Sequence, residues 1–353
     1  MRVGIIGIGG VGEACAHLFA SRGRARSLVL ANRDVRVANA VRMDLEQSRS
    51  WNTPLSARAV EPWRDEAFRG CEVLILTAGP RLRGDESRAA KASETARLLL
   101  GSAGKSIVES LARHALVDDG SILLVVTNPV EATVTWLAKK TGWNHSRIIG
   151  LGTTVETARF SRFLADTINV DAASVWTEII GEHGPLIEIR DPDAVQRRIR
   201  ELGGRQVDLE AVLKRTRGAA SEIRKQSESV GAQQAERIIG AIETEFGAVA
   251  FSEAVRTALR ARLSGALSPP ATRFAIAAAA LEVVDAIADD RGRALPVSNF
   301  PDFDGEPPVA LALPFILGRS GVVRRGLEAP TALLQKAAIS IAEQVQAMHA
   351  VAP

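Results

Sequence analysis

The chain has 353 residues, 46% of them apolar and 24% charged, and a formal charge of +3 from 44 basic and 41 acidic side chains. That length suits two domains or one large α/β unit, and so small a basic excess, scattered along the chain, argues against a nucleic-acid-binding protein. The longest apolar stretch, "RFAIAAAALEVVDAIA", falls short of the roughly 18 uncharged residues a membrane span needs and reads as a buried helix; with no secretory pattern at the start, we expect a cytoplasmic protein.

The first half alternates short apolar runs with helical periodicity. "RVGIIGI" (2–8) reads as a strand buried on both faces, and "VGEACAHLFASRG" (11–23) as a helix stopped by Gly23. Strands follow at 27–32, 71–79, 121–129 and 147–153, with helices at 34–48, 93–115 and 131–142 between them. Strands separated by helices predict parallel βαβ units, hence a doubly wound sheet of Rossmann type over residues 1–150. Residues 151–353 read as a mixed α+β domain. Its strands are expected at 174–184, 186–190, 308–318 and 321–327, a charged helical stretch at about 193–265, and a last helix at 331–348. Cys15 and Cys71 fall in apolar stretches, read as buried thiols, and make no metal-binding spacing.

Gly7, Gly9 and Gly12 form G-x-G-x-x-G between the first strand and its helix. The first glycine permits a tight turn, the second admits a pyrophosphate to the backbone, and the third lets helix and strand pack closely. In that context the pattern predicts dinucleotide binding at a helix N-terminus. The second strand ends in Asn32, where an acid would hold a ribose 2′-hydroxyl, and Arg33 and Arg36 follow. A neutral Asn beside two guanidinium groups suits a 2′-phosphate, so we expect NADP(H) in preference to NAD(H). The alternative leaves both arginines in solvent and gives the ribose to Asp34.

Hydride transfer to a 2-oxo acid needs a proton donor, a cation for the carboxylate and a second cation to polarise the carbonyl. His183 sits at a strand end between glycines in "IIGEHG", Glu156 and Arg159 lie three apart in "TTVETARF", and Arg88 closes the arginine-rich loop "TAGPRLRGDESR" (77–88).

Taken with "GIGGVG" (7–12), "VVTNPV" (125–130), "GLGTTVETARF" (150–160), "LPVS" (295–298) and "LGRSGV" (317–322), these segments make the chain resemble the lactate/malate dehydrogenase family over nearly its whole length. The resemblance implies reversible reduction of a 2-oxo acid to a 2-hydroxy acid by a homodimer or homotetramer; the charge, hydropathy and cysteine spacing above suggest no nucleic-acid, membrane or metal partner. It implies that His183 donates the proton, that Arg159 holds the substrate carboxylate, that Arg88 polarises the carbonyl, and that Asn128 hydrogen-bonds near the nicotinamide. It adds Gly10, Val11, Thr77, Ala78 and Gly79 to the cofactor contacts and Thr272 to the pocket wall.

Three departures from the family pattern bear on function. Glu156 stands where the family usually has Asp to orient the imidazole. Leu82 stands at the specificity position, where the malate enzymes have Arg and lactate enzymes usually Gln; Leu suits an apolar tail, whereas entry of Arg81, Arg83 or Arg273 would restore an anionic one. A helical insertion near 228–268 follows the helix resembled by 213–226, as either a reshaped pocket roof or an oligomer contact. We therefore expect a specialised NADP-dependent 2-hydroxy acid dehydrogenase. Lactate or malate dehydrogenase proper and a non-catalytic nucleotide sensor are the alternatives. The nucleotide- and metal-dependent glycosidases, on a related fold, are disfavoured because they need a Cys/His metal pair.

Overall fold

The computed structural model describes residues 1–49, 55–61, 65–79, 120–175, 177–184, 186–246, 252–268, 272–301, 309–324 and 331–350. The helix expected at 93–115 and the arginine-rich loop from Pro80 onward lie outside these residues.

The first half builds β1 (Arg2–Ile6), α1 (Gly10–Ser21), β2 (Ser27–Ala31), α2 (Val35–Arg49), β3 (Ser56–Val60), a helical turn at Asp65–Phe68, β4 (Val73–Leu76), β5 (Ile122–Val125), α3 (Val130–Thr141) and β6 (Ile148–Gly150). These six strands lie side by side in the order β3-β2-β1-β4-β5-β6, and each neighbouring pair is parallel. That order is the Rossmann order, with its reversal at β1. The central strands are apolar along their whole length because helices cover both faces: β4 "VLIL" and β5 "ILLV" are buried at every position. β3 was not expected from the sequence. Its "SARAV" alternates exposed and half-buried side chains as an edge strand does and carries too little apolar residue to signal itself.

The second half adds α4 (Thr154–Ile168), β7 (Ile179–Glu182), β8 (Leu186–Ile189), α5 (Pro192–Glu201), α6 (Leu209–Phe246), α7 (Glu253–Leu267), α8 (Arg273–Asp289), β9 (Arg293–Asn299), β10 (Leu311–Gly318), β11 (Gly321–Arg324) and α9 (Ala332–Ala350). The sheet does not stop at β6: β9, β10, β7 and β8 continue it antiparallel, and β11 pairs β10. The strand expected over 174–184 is shorter, because a turn at Ala172–Ser174 precedes it and His183–Gly184 already turn toward β8. β9 was likewise not expected, since Pro296 within "RALPVSN" argues against a central strand. Pro296 faces Pro314 across the β9–β10 ladder, so two residues without N–H oppose each other.

By its internal contacts the chain divides into two units, residues 1–80, 97–217 and 274–353 in one, 81–96 and 218–273 in the other. The first holds the whole sheet. Its main core runs through Ile5, Leu30, Leu74 and Ile75 to Val283 and Ile287 of α8, and a second core gathers Phe160, Leu164, Ile179, Ile187 and Ile199. Each such fully buried aliphatic side chain contributes about 1.5–3 kcal/mol relative to exposure. Among the described residues, the second unit is an antiparallel pair formed by the distal part of α6 and α7. A Cβ on Gly231 would lie 2.3 Å from the Ser264 carbonyl, so the absent side chain lets the helices touch, and Arg260 pairs with Glu236 and Arg256 with Glu243 along the seam.

Candidate active site

The reversal of strand order puts the ends of β1 and β4 next to each other, where an α/β sheet opens a crevice. Gly7 leaves β1 with φ +105°, and a Cβ there would stand 2.4 Å from the Ala78 nitrogen. A Cβ on Gly12 would stand 2.2 Å from the Gly7 carbonyl oxygen. Thr77 Oγ1 donates to that same carbonyl at 2.7 Å, locking the β4 end to the loop. Among the described residues, Gly9 by contrast has nothing within 4 Å of its Cβ position, and no side chain caps the helix that starts at Gly10. Open N–H groups at a positive helix end fit a pyrophosphate. Gly9, Gly10 and Gly79 are exposed, and Val11 and Ala78 half-buried, around this loop.

At the end of β2, Asn32 Nδ2 donates to the Asp34 carbonyl at 3.0 Å. Arg36 grips the Asp34 carboxylate with Nε at 2.9 Å and Nη2 at 2.8 Å, and these hydrogen bonds hold that carboxyl below its usual range. Asp34 and Arg36 are thus engaged with one another, while Arg33 is exposed beside the neutral Asn32.

The chemical end is assembled where β6 hands over to α4. Thr153 N donates to the Pro296 carbonyl of β9 at 3.1 Å, Thr153 Oγ1 to the Ile179 carbonyl of β7, and Ile179 N to Thr157 Oγ1 at 3.0 Å. These bonds fix the start of α4 against the strand that leads into His183. Glu156, in the first turn of α4, then places Oε2 3.0 Å from His183 Nδ1 and Oε1 3.8 Å from Arg159 Nη1. The extra methylene of Glu does not carry the carboxylate past the imidazole, and one carboxylate serves both cations. Its bond to Nδ1 assigns the proton to that nitrogen in the neutral ring and leaves Nε2 for exchange with a substrate.

Electrostatics follow from this enclosure. The Glu156 side chain is 4% exposed, Arg159 13% and His183 24%. Burial disfavours imidazolium at His183, but the charge and hydrogen bond of Glu156 and the charge of Glu131 outweigh it, with Arg159 opposing, and the ring is pushed up to about 9. Burial raises the Glu156 carboxyl as well; the facing His183 and Arg159 reverse this and hold it low. Burial pulls the Arg159 guanidinium down, partly offset by Glu156.

Two residues of this cluster escaped the sequence reading. Glu131, in the first turn of α3, is 2% exposed; its Oε1 accepts from Ser298 Oγ at 2.7 Å and from the His183 backbone N at 3.3 Å. Burial pushes its carboxyl above the ordinary range, against the pull of His183 and Ser298. The signal was present: in α3 every side chain from Val130 to Ala138 is buried, and Glu131 is the single carboxylate in that run. Ser298, fully buried on β9, had no local signal beyond its place in "LPVS".

Asn128 lies exposed between β5 and α3. Arg81, Leu82, Arg83 and Arg88 lie outside the described residues. Thr272 and Arg273 end the second unit; Thr272 has φ +63°, a left-handed conformation that costs a β-branched residue about 1–3 kcal/mol. Cys15 and Cys71 are both buried free thiols, and burial pushes Cys15 up to about 12. Among the described residues no His, Cys, Asp and Glu group could hold a metal ion, and no helix is long and apolar enough to cross a membrane.

Comparison with known proteins places these features. Residues 1–150 match the family model for the lactate/malate dehydrogenase NAD binding domain. The L-lactate dehydrogenase of Thermus aquaticus is 30% identical over 323 residues, 91% of this chain and 90% of that protein. That of Kosmotoga olearia is 36% identical over 188 residues, 52% of this chain and 54% of its own length. Among solved structures, a lactate dehydrogenase from a Medee basin deep-sea metagenome library superposes with a TM-score of 0.73 at 23% identity, covering 99% of this chain and 98% of that one. Cryptosporidium parvum malate dehydrogenase does so with a TM-score of 0.75 at 18% identity, covering 99% and 100%. The two structures speak for the fold alone. With the Thermus relative spanning both halves of the sheet, the chain belongs to the lactate/malate dehydrogenase family, as a divergent member.

Proposed function

We propose that the protein catalyses reversible hydride transfer between a nicotinamide dinucleotide and a small 2-oxo/2-hydroxy acid pair, with NADP(H) preferred and a substrate other than pyruvate or oxaloacetate. The observation that carries the reading is the buried Glu156–His183–Arg159 cluster, which sets a proton donor 3.0 Å from its orienting carboxylate with a cation on the same carboxylate. His183 gives its proton from Nε2 to the carbonyl oxygen in reduction and takes it back in oxidation, and Glu156 stabilises the imidazolium. Arg159 holds the substrate carboxylate, Arg88 the polarised carbonyl oxygen, and Asn128 the nicotinamide side of the pocket. The bound nicotinamide supplies the hydride acceptor or donor. Gly7, Gly9, Gly10, Val11, Gly12, Thr77, Ala78 and Gly79 would hold the dinucleotide.

Support for NADP(H) comes from charge at the end of β2. Asn32 is neutral, Asp34 is already occupied by Arg36, and Arg33 is exposed, which leaves a site with net positive charge for a 2′-phosphate. In this reading residues 1–150 bind the dinucleotide, residues 151–353 form the substrate domain with its helical insertion near 228–268, and Leu82 receives an apolar tail. Cytoplasmic location is carried over from the sequence pattern, and a homodimer or homotetramer from the family resemblance.

The test is oxidation of NADPH, and separately of NADH, against pyruvate, oxaloacetate, branched and aromatic 2-oxo acids and phosphono analogues. NADPH-driven turnover of a branched or aromatic acid is expected. Turnover confined to doubly anionic acids would place Arg81, Arg83 or Arg273 in the pocket instead of Leu82. Silence across the panel with cofactor still bound would overturn the enzymatic reading.

A further inference from the structure

Two helix N-termini converge on His183, and each brings a buried carboxylate in its first turn. Glu156 on α4 contacts the ring. Glu131 on α3 does not touch it; one oxygen of Glu131 receives the His183 backbone N–H at 3.3 Å and the Ser298 hydroxyl at 2.7 Å. We propose that Glu131 is a positioning residue for His183, fixing the main chain that carries the imidazole and supplying a second negative charge close to it.

The inference rests on the reading of His183 as proton donor, and on three observations. First, the geometry ties three elements together. Ser298 sits on β9 opposite Gly150 of β6, a Cβ on Gly150 would lie 2.8 Å from the Ser298 Cβ, and the pair forms the join between the parallel and antiparallel parts of the sheet. Glu131 thus links that join to the turn after β7. Second, the charges act in one direction. Glu156 and Glu131 both favour the imidazolium of His183, and Arg159 opposes it, so a carboxylate at 131 offsets the guanidinium beside the ring. Third, both carboxylates sit at the positive end of a helix, which lowers the cost of burying them charged.

The charged and titratable groups facing His183 are Glu131 from α3 and Glu156 and Arg159 from α4; Glu182 of β7 acts on Glu131, and from β9 and α9 come the uncharged Ser298 and Gln344, the latter donating to Glu182 at 2.9 Å. Reduction needs imidazolium, so kcat/KM for a 2-oxo acid is present below the His183 pKa and lost as pH rises through it, near 9. Removing a negative charge from the cluster lowers that pKa and moves the loss to lower pH.

The experiment is the pH profile of kcat/KM for reduction in Glu131→Gln, which keeps an acceptor oxygen and removes the charge, with Glu131→Asp and His183→Gln measured beside it. Expected is a descending limb displaced downward by about one pH unit in Glu131→Gln, returning most of the way in Glu131→Asp. A folded Glu131→Gln whose limb does not move overturns the proposal and leaves Glu131 a neutral buried acid. If Glu131→Gln does not fold, Ser298→Ala, which removes one donor from the carboxylate, is to shift the same limb downward by a smaller amount; an unmoved limb is equally fatal. Undiminished turnover in His183→Gln would instead fault the proton-donor reading beneath the proposal.

Discussion

The proposed cofactor cradle and the proposed proton-exchange cluster are built from different materials. The cradle is backbone: three glycines, an uncapped helix end and the ends of β1 and β4, where Thr77 holds the Gly7 carbonyl. The cluster is side chain: Glu131, Glu156, Arg159, His183 and Ser298, drawn from α3, α4, the turn after β7 and β9 and separated by up to 167 residues. The backbone site leaves no room for added atoms at Gly7 and Gly12 but asks for little charge balance. A side-chain site tolerates small changes of reach, as Glu156 does by meeting Nδ1 at 3.0 Å, but is governed by the sum of its charges.

If that contrast is right, His183→Gln should act on one region only. Turnover is expected to fall about 10²–10⁴-fold, with cofactor affinity, read by fluorescence titration, essentially unchanged. A parallel collapse in cofactor binding would show that the two regions are not separable. Gly12→Val probes the other region. Its side chain must displace the Gly7 carbonyl, 2.2 Å from the Cβ position, so we expect a loss of about 1–3 kcal/mol in thermal unfolding together with weakened cofactor binding. Wild-type affinity in that variant would mean that the close packing does not shape the cradle. Arg33→Ala sharpens the comparison at the point where the cradle does use a side chain. NADPH binding should weaken by roughly 1–3 kcal/mol and NADH binding hardly at all. Equal effects on both would remove the basis for preferring NADP(H).

The same contrast explains what could be read from the chain. The cradle was legible because a turn, a phosphate approach and a helix–strand contact each demand glycine at a fixed local spacing, and Gly7, Gly9 and Gly12 lie within six residues. The parallel strands were legible as unbroken apolar runs. His183, Glu156 and Arg159 were found through their surrounding motifs, but their distances to one another were not. Glu131 and Ser298 were missed because their partners are remote in sequence: a carboxylate in an apolar helix announces burial but not what it faces. β9 was hidden by Pro296, whose carbonyl nonetheless anchors Thr153. β3 was hidden by its weak alternation at the sheet edge.

The sharing of Glu156 between His183 and Arg159 has a thermodynamic corollary. Arg159 lies close enough to oppose the imidazolium. An anion that neutralises this guanidinium weakens that opposition, so anion binding and proton uptake at the ring favour each other, and by reciprocity the protonated site holds the anion more tightly than the neutral one. The carboxylate common to both cations makes the site sense the charge of its occupant before any bond to hydrogen is broken.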